Sequence, residues 1–64
     1  MKLLIVEDKK ELVADISAYL ADNGFITESA FTLEEARNKI SMYDYDLVIL
    51  DLGLPDGDGL SLIP

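Results

Sequence analysis

The sequence predicts an α/β fold in which parallel strands alternate with helices. Two short aliphatic runs, residues 3–6 and 47–50, are continuous rather than alternating, which is typical of parallel strands covered on both faces. Segments of helical periodicity separate the strand candidates, so the predicted order is β-α-β-α-β. This alternation implies one parallel sheet with right-handed crossover connections.

The first strand is predicted over residues 3–6 and the first helix over about residues 9–22. Gly24 can adopt the left-handed conformation just past this helix, which would let Phe25 pack back on Leu20 as in a Schellman motif. Apolar residues of the helix recur at helical spacing and form a stripe that we expect to face the sheet: Leu12, Val13, Ile16, Tyr19 and Leu20.

The second strand and second helix are predicted to follow the first helix. Residues 25–29 are mixed in polarity, as expected of a strand near an edge of the sheet. Thr32 and Glu35 have the spacing of a capping box, so the second helix is predicted to begin after Thr32. Its inner stripe is predicted to comprise Leu33, Ala36 and Ile40. After the third strand, residues 60–63 begin a further apolar segment.

Composition limits the classes of function. The chain has 64 residues, no cysteine and a net charge of −8, so the sequence offers no disulfide framework and no thiolate metal site. The acidic balance argues against binding to nucleic acid or to anionic lipid. Because no apolar run approaches the roughly 20 residues of a membrane span, we expect a cytoplasmic protein.

Acidic side chains follow two of the predicted strands. Glu7 and Asp8 come after the first strand and Asp51 after the third, so neighbouring strands would bring three carboxylates to one edge of the sheet. Like charges this close raise one another's pKa values unless a cation lies among them, and oxygen ligands alone suit Mg²⁺. Alternatively, Asp8 caps the first helix with Glu11 at the capping-box position, and Asp51 merely ends a strand.

The same residues give the chain a close resemblance to the receiver domain of two-component response regulators. The segments that carry it are LLIVED, DNGF, FTLEEARNKI and YDLVILDLGLPDGDGL. The resemblance implies a flavodoxin-like sheet of strand order 2-1-3, with residues 1–64 as the N-terminal half of the domain. It also implies a signalling module that accepts a phosphoryl group from a sensor histidine kinase and is not a turnover enzyme.

The resemblance assigns roles to four positions. Asp51 looks like the phosphoacceptor, which forms an aspartyl phosphate. Asp8 resembles a direct Mg²⁺ ligand, Glu7 a ligand acting largely through water, and Gly53 a ligand through its backbone carbonyl. Gly59 is expected to permit a close turn into a third helix.

The second half of the family pattern has no counterpart in these 64 residues. Its fourth and fifth strands are missing, as are its hydroxyl residue and lysine that contact the phosphoryl group, and Lys9 and Lys10 are not expected to substitute. Residues 47–50 then form an aliphatic edge strand, and we expect a homo-oligomer, most simply a two-fold dimer through this strand and residues 60–63. The alternative is a truncated or proteolytic fragment that self-associates and whose site is a relic.

Two other sites are disfavoured by single positions. A phosphatase with an aspartate nucleophile would need a second aspartate two residues after Asp51, where Gly53 stands. An EF-hand loop through Asp56 and Asp58 would have Leu54 as its first ligand.

Overall fold

The computed structural model describes residues 1–51 and 53–58. The predicted turn at Gly59 and the apolar segment 60–63 lie outside these residues. The main elements are β1 (Lys2–Val6), α1 (Lys10–Asp22), β2 (Ile26–Ala30), α2 (Leu33–Met42) and β3 (Leu47–Leu50). A small hairpin of β4 (Gly53–Leu54) and β5 (Gly57–Asp58) follows.

The three long strands form a parallel sheet of order β2-β1-β3. Leu4 of β1 pairs with Glu28 on one side and Val48 on the other. This confirms the predicted alternation, strand order and truncated flavodoxin-like sheet. No helix among the described residues is long and apolar enough to cross a membrane.

The end of α1 has the predicted Schellman geometry. Gly24 has a φ of 85°, a value that side-chain-bearing residues rarely adopt. Its N–H donates to the carbonyl of Ala21 at 3.0 Å, and the Phe25 N–H donates to that of Leu20 at 3.0 Å. The two bonds satisfy carbonyls that a helix end otherwise leaves without partners.

Helix α1 buries a narrower stripe than the sequence predicts. Val13 is buried and Ile16 and Leu20 are half-buried, but Leu12 is 43% and Tyr19 is 68% exposed. The prediction is therefore wrong for Leu12 and Tyr19. Each directly precedes a covered residue and is rotated from it by about 100° around the helix, so it lies on the flank of the face that meets the sheet.

The other face of the sheet packs on α2. Its core cluster consists of Leu4, Val6, Ala30, Leu33, Ala36 and Leu54, with Tyr45 and Leu50 packed against it. The Thr32 hydroxyl caps α2 by accepting the Glu35 N–H at 3.1 Å, as predicted. Ile40 is 41% exposed, contrary to the prediction, because α2 contacts the edge strand β2 and its stripe is covered only near the helix start.

Strand β3 is the more exposed neighbour of β1. Leu47 is 52% and Val48 is 37% exposed, so the prediction of a strand buried on both faces is wrong. Within residues 1–51 and 53–58, β3 pairs with β1 alone. The described part thus has an aliphatic edge at β3.

Candidate functional site

The structure brings Glu7, Asp8 and Asp51 together at the carboxyl edge of the sheet. Their nearest carboxylate oxygens all lie within 4.8 Å of one another. The sheet ladder continues past the strand ends and fixes the backbone of two of them. The Glu7 N–H donates to Ala30 O at 3.0 Å, and the Asp51 N–H donates to Val6 O at 2.9 Å.

The three acids differ in burial, and burial affects the pKa of Glu7. Glu7 is only 8% exposed, whereas Asp51 is half-buried and Asp8 is exposed. Burial is the main cause that raises the pKa of Glu7, and the Asp51 carboxyl beside it acts in the same direction. The Lys9 N–H, which donates to Glu7 Oε1 at 3.1 Å, opposes the increase in pKa.

The alternative in which Asp8 caps α1 is wrong. The helix begins at Lys10, and its N-cap residue is Lys9. The carboxylate that accepts a backbone N–H there belongs to Glu7. Asp8 instead contributes its carboxylate to the acidic group.

The three carboxylates fit a small, hard cation. Mg²⁺ binds oxygen ligands at about 2.0–2.1 Å, so ligands on opposite sides of the ion lie about 4.2 Å apart. The observed spread of up to 4.8 Å needs only a small inward movement of the side chains. A cation would also offset the repulsion and burial that raise the pKa of Glu7. These residues therefore would hold Mg²⁺ without a change of fold.

Gly53 lies in the hairpin of β4 and β5. Gly53 pairs with Asp58 across β4 and β5, and Leu54 pairs with Gly57. The structure thus places Gly53 in an ordered strand two residues beyond Asp51. Its role as a carbonyl ligand stays a prediction.

Asp56 makes a contact that sequence reasoning missed. Its Oδ1 accepts the Leu33 N–H at 2.7 Å and its Oδ2 accepts the Glu34 N–H at 3.0 Å. These two bonds lower the pKa of the Asp56 carboxyl. The partners lie more than twenty residues apart in the chain, so no local pattern in the sequence could have indicated the pairing.

Known proteins are similar to this chain in sequence. The family model described as "Response regulator receiver domain" matches residues 3–64. The chain is 51% identical to the transcriptional regulatory protein PmrA of Pectobacterium parmentieri over 98% of its length. It is 41% identical to the two-component response regulator PhoP of Pseudomonas aeruginosa over the same share. Each alignment covers 28% of the relative.

Solved structures give the same result at the level of the fold. The response regulator TrrA of Thermotoga maritima, in complex with Mg(2+)-BeF, matches with a TM-score of 0.90 and 33% identity, over 95% of this chain and 53% of that one. A two-component response regulator from Clostridium difficile matches with a TM-score of 0.93 and 35% identity, over 97% and 51%. The chain thus spans about a quarter of its curated relatives and half of the solved chains, and it belongs to the response regulator receiver domain family.

Proposed function

We propose that the chain carries the phosphoacceptor site of a two-component receiver domain, with Asp51 as the residue that is phosphorylated. The observation that carries the proposal is the convergence of Asp51 with Glu7 and Asp8 at the edge of the sheet. In the reaction, an Asp51 carboxylate oxygen attacks the phosphoryl phosphorus of a phosphohistidine on a sensor kinase. A P–O bond forms as the P–N bond breaks, and the histidine nitrogen leaves.

The proposed metal ligands come from the same carboxyl edge of the sheet. Asp8 would bind Mg²⁺ directly, Glu7 largely through water, Asp51 through a carboxylate oxygen and Gly53 through its backbone carbonyl. Bound there, Mg²⁺ supplies neutralisation of the charge on the transferred phosphoryl group. The TrrA structure, which has the same fold and contains Mg(2+)-BeF, supports this assignment.

The chain's own residues contribute position and rigidity. Phosphoryl transfer needs a nucleophile held in line with the bond that breaks, and little other covalent chemistry from the protein. Asp51 directly follows β3, and its backbone is bonded to Val6 of the central strand. A carboxylate on a rigid ladder reaches the phosphorus at a smaller entropy cost than one on a loop.

The wider assignment is a signalling module and not a turnover enzyme. Residues 1–64 form the N-terminal half of a receiver domain in the cytoplasm, and a sensor histidine kinase is the partner of the parent domain. The match to half of each solved receiver chain supports this division. The acidic chain itself is not expected to bind nucleic acid or membranes.

A small-molecule phosphodonor tests the acceptor. The full chain is incubated with acetyl phosphate and Mg²⁺, and the product is followed by intact mass. We expect the addition of one phosphoryl group to the native chain and to Asp44→Ala, which removes an exposed carboxylate from the link before β3. We expect no addition to Asp51→Ala. Phosphorylation of Asp51→Ala at the native rate contradicts the proposal.

A second candidate function is self-association around a relic site. The observation in its favour is the exposed edge of β3. Leu47 and Val48 are exposed apolar side chains there, and within the described residues one edge of β3 pairs with no other strand. Pairing of β3 with β3 of a second copy in antiparallel register around residues 48 and 49 would set Asp46 opposite Asp51. This like-charge contact makes the homodimer favourable mainly at high salt.

Sedimentation velocity tests self-association, and Mg²⁺ titration of the dimer then tests whether its site is a relic. We expect a dimer whose fraction increases with protein concentration and with salt, and which Val48→Lys dissociates by placing a charge on the strand edge. A well-ordered monomer at every concentration and salt level contradicts self-association. A dimer without Mg²⁺ binding favours the relic site.

A further inference from the structure

The hairpin of β4 and β5 is fastened to the first turn of α2. Asp56 accepts the N–H groups of Leu33 and Glu34, one on each carboxylate oxygen, at 2.7 and 3.0 Å. Leu54 of the hairpin is 6% exposed and belongs to the same core cluster as Leu33. A carbon added at Gly57 would lie 2.9 Å from Leu33 Cδ1, so the hairpin rests directly on that side chain.

Together with other hydrogen bonds and chain connections, this attachment forms a closed ring around Glu7, Asp8 and Asp51. The end of β3 is bonded to β1 through Asp51 and Val6, and the end of β1 is bonded to β2 through Glu7 and Ala30. Strand β2 continues within three residues into α2. The bonds of Asp56 then join α2 to the hairpin, which leads back to Asp51.

We infer that Asp56 is a positioning residue for the acidic site, because its carboxylate fixes the hairpin that carries Gly53 to the N-terminus of α2. The inference rests on the proposed function, in which Asp51 accepts the phosphoryl group and the Gly53 carbonyl binds the metal. Asp56 touches neither the reacting atoms nor the ion. It acts by holding the hairpin of residues 53–58, which includes Gly53, against α2.

The chemistry of the contact suits a carboxylate. The first amides of a helix lack partners within the helix and carry partial positive charge, so an anion that accepts two of them is stabilised. Asparagine at position 56 would accept one amide but would turn its NH₂ group toward the other. Alanine would leave both amides without this partner. The two substitutions therefore weaken the attachment in steps.

Mg²⁺ affinity tests the inference, with isothermal titration of the full chain by Mg²⁺ alone as the readout. We expect Asp56→Ala to bind about tenfold more weakly than the native chain, at the lower end of what outer partners of metal ligands contribute. Asp56→Asn should fall between the two. If Asp56→Ala does not fold, Asp56→Asn supplies the same comparison.

The matched control is Thr32→Ala, which removes the cap of the same helix and leaves Asp56 in place. We expect it to lower the melting temperature, as Asp56→Ala does, but to keep native Mg²⁺ affinity. Asp44→Ala, which removes an exposed carboxylate in the link before β3, should alter neither. If the role of Asp56 is purely structural, Asp56→Ala and Thr32→Ala will both lower the melting temperature and both keep native Mg²⁺ affinity.

Amide hydrogen exchange separates this inference from the proposed function. We expect faster exchange in residues 53–58 of Asp56→Ala than of Thr32→Ala. Native Mg²⁺ affinity in Asp56→Ala, with binding abolished in Asp51→Ala, overturns the inference and leaves the proposed function intact. Native affinity in Asp51→Ala overturns the proposed function. Equal exchange of residues 53–58 in Asp56→Ala and the native chain overturns the attachment itself.

Discussion

Two clusters of the sheet hold buried or half-buried carboxylates in opposite ways. In the first, near the amino ends of β1 and β3, Glu28 accepts the Tyr45 hydroxyl at 2.7 Å and lies 3.0 Å from Lys2 Nζ. These partners lower the pKa of Glu28. In the second, at the carboxyl edge, burial and the neighbouring Asp51 raise the pKa of Glu7.

The two clusters differ in how their carboxylates are neutralised. The first cluster supplies its own cation, since Lys2 Nζ also lies 5.0 Å from the ring centroid of Tyr43 and 5.3 Å from that of Tyr45. The second gathers three acids within 4.8 Å. This contrast agrees with the proposed role of the second cluster as a cation site.

The largest expected effect is stabilisation by Mg²⁺. At 100 times its dissociation constant, an ion that binds only the folded state adds about 2.7 kcal/mol to the free energy of unfolding. We expect this increment in the native chain and its loss in Asp51→Ala, measured by urea unfolding with and without Mg²⁺.

A variant of the first cluster is the matched control for this measurement. Glu28→Gln removes one negative charge, as Asp51→Ala does, but away from the carboxyl edge. We expect it to lower stability without Mg²⁺ and to keep the full increment with Mg²⁺. If Glu28→Gln loses the increment as well, the ion binds through the general acidity of the chain, and the two clusters do not differ in function.

The next effect concerns the bond between Tyr45 and Glu28. Tyr45→Phe removes the hydroxyl that donates at 2.7 Å, and we expect a loss of about 1 kcal/mol in the free energy of unfolding, typical of a hydrogen bond at a partly exposed site. Tyr43→Phe keeps the ring that lies over Lys2 and should change stability by less than about 0.5 kcal/mol. Equal losses in the two variants would contradict a specific role for this bond.

Alkaline pH gives an independent readout of the same bond. Burial and the bond to Glu28 raise the pKa of Tyr45 from 10.0 to about 12. Its contribution to stability is therefore complete below pH 10 and is lost as the pH rises from 10 to about 12. We expect Tyr45→Phe to be less sensitive than the native chain over that interval, as measured by urea midpoints.

The sequence predicted the acidic edge better than it predicted the exposure of apolar residues. Residues 7 and 8 come after β1 and residue 51 comes after β3, so the order of a parallel sheet is enough to bring them together. The exposure of Leu12 and Ile40 depends on how much of each helix the sheet covers. Helical periodicity identifies an apolar stripe, but it does not predict how much of that stripe the sheet buries.

The contact of Asp56 with α2 illustrates a second limit of sequence reasoning. The Schellman ending of α1 was predictable because Gly24 and its partners lie within five residues of one another. Asp56 binds the amides of Leu33 and Glu34 across more than twenty residues, and only tertiary structure brings them together. Every residue except proline has a backbone amide, so the sequence does not indicate which amides a distant carboxylate will bind.

The smallest expected effect is a difference in pH dependence between the two clusters under acid conditions without Mg²⁺. The pKa of Glu7 is raised above 4.5, so its contribution to stability is complete below pH 4.5 and is lost as the pH rises through its folded-state pKa. The pKa of Glu28 is lowered below 4.5, so its contribution is present above pH 4.5 and is lost as the pH falls further. Glu7→Gln should therefore differ from the native chain in pH dependence above pH 4.5, and Glu28→Gln below it. Urea midpoints from pH 3 to 8 measure both, and identical windows for the two variants would mean that the clusters are electrostatically alike.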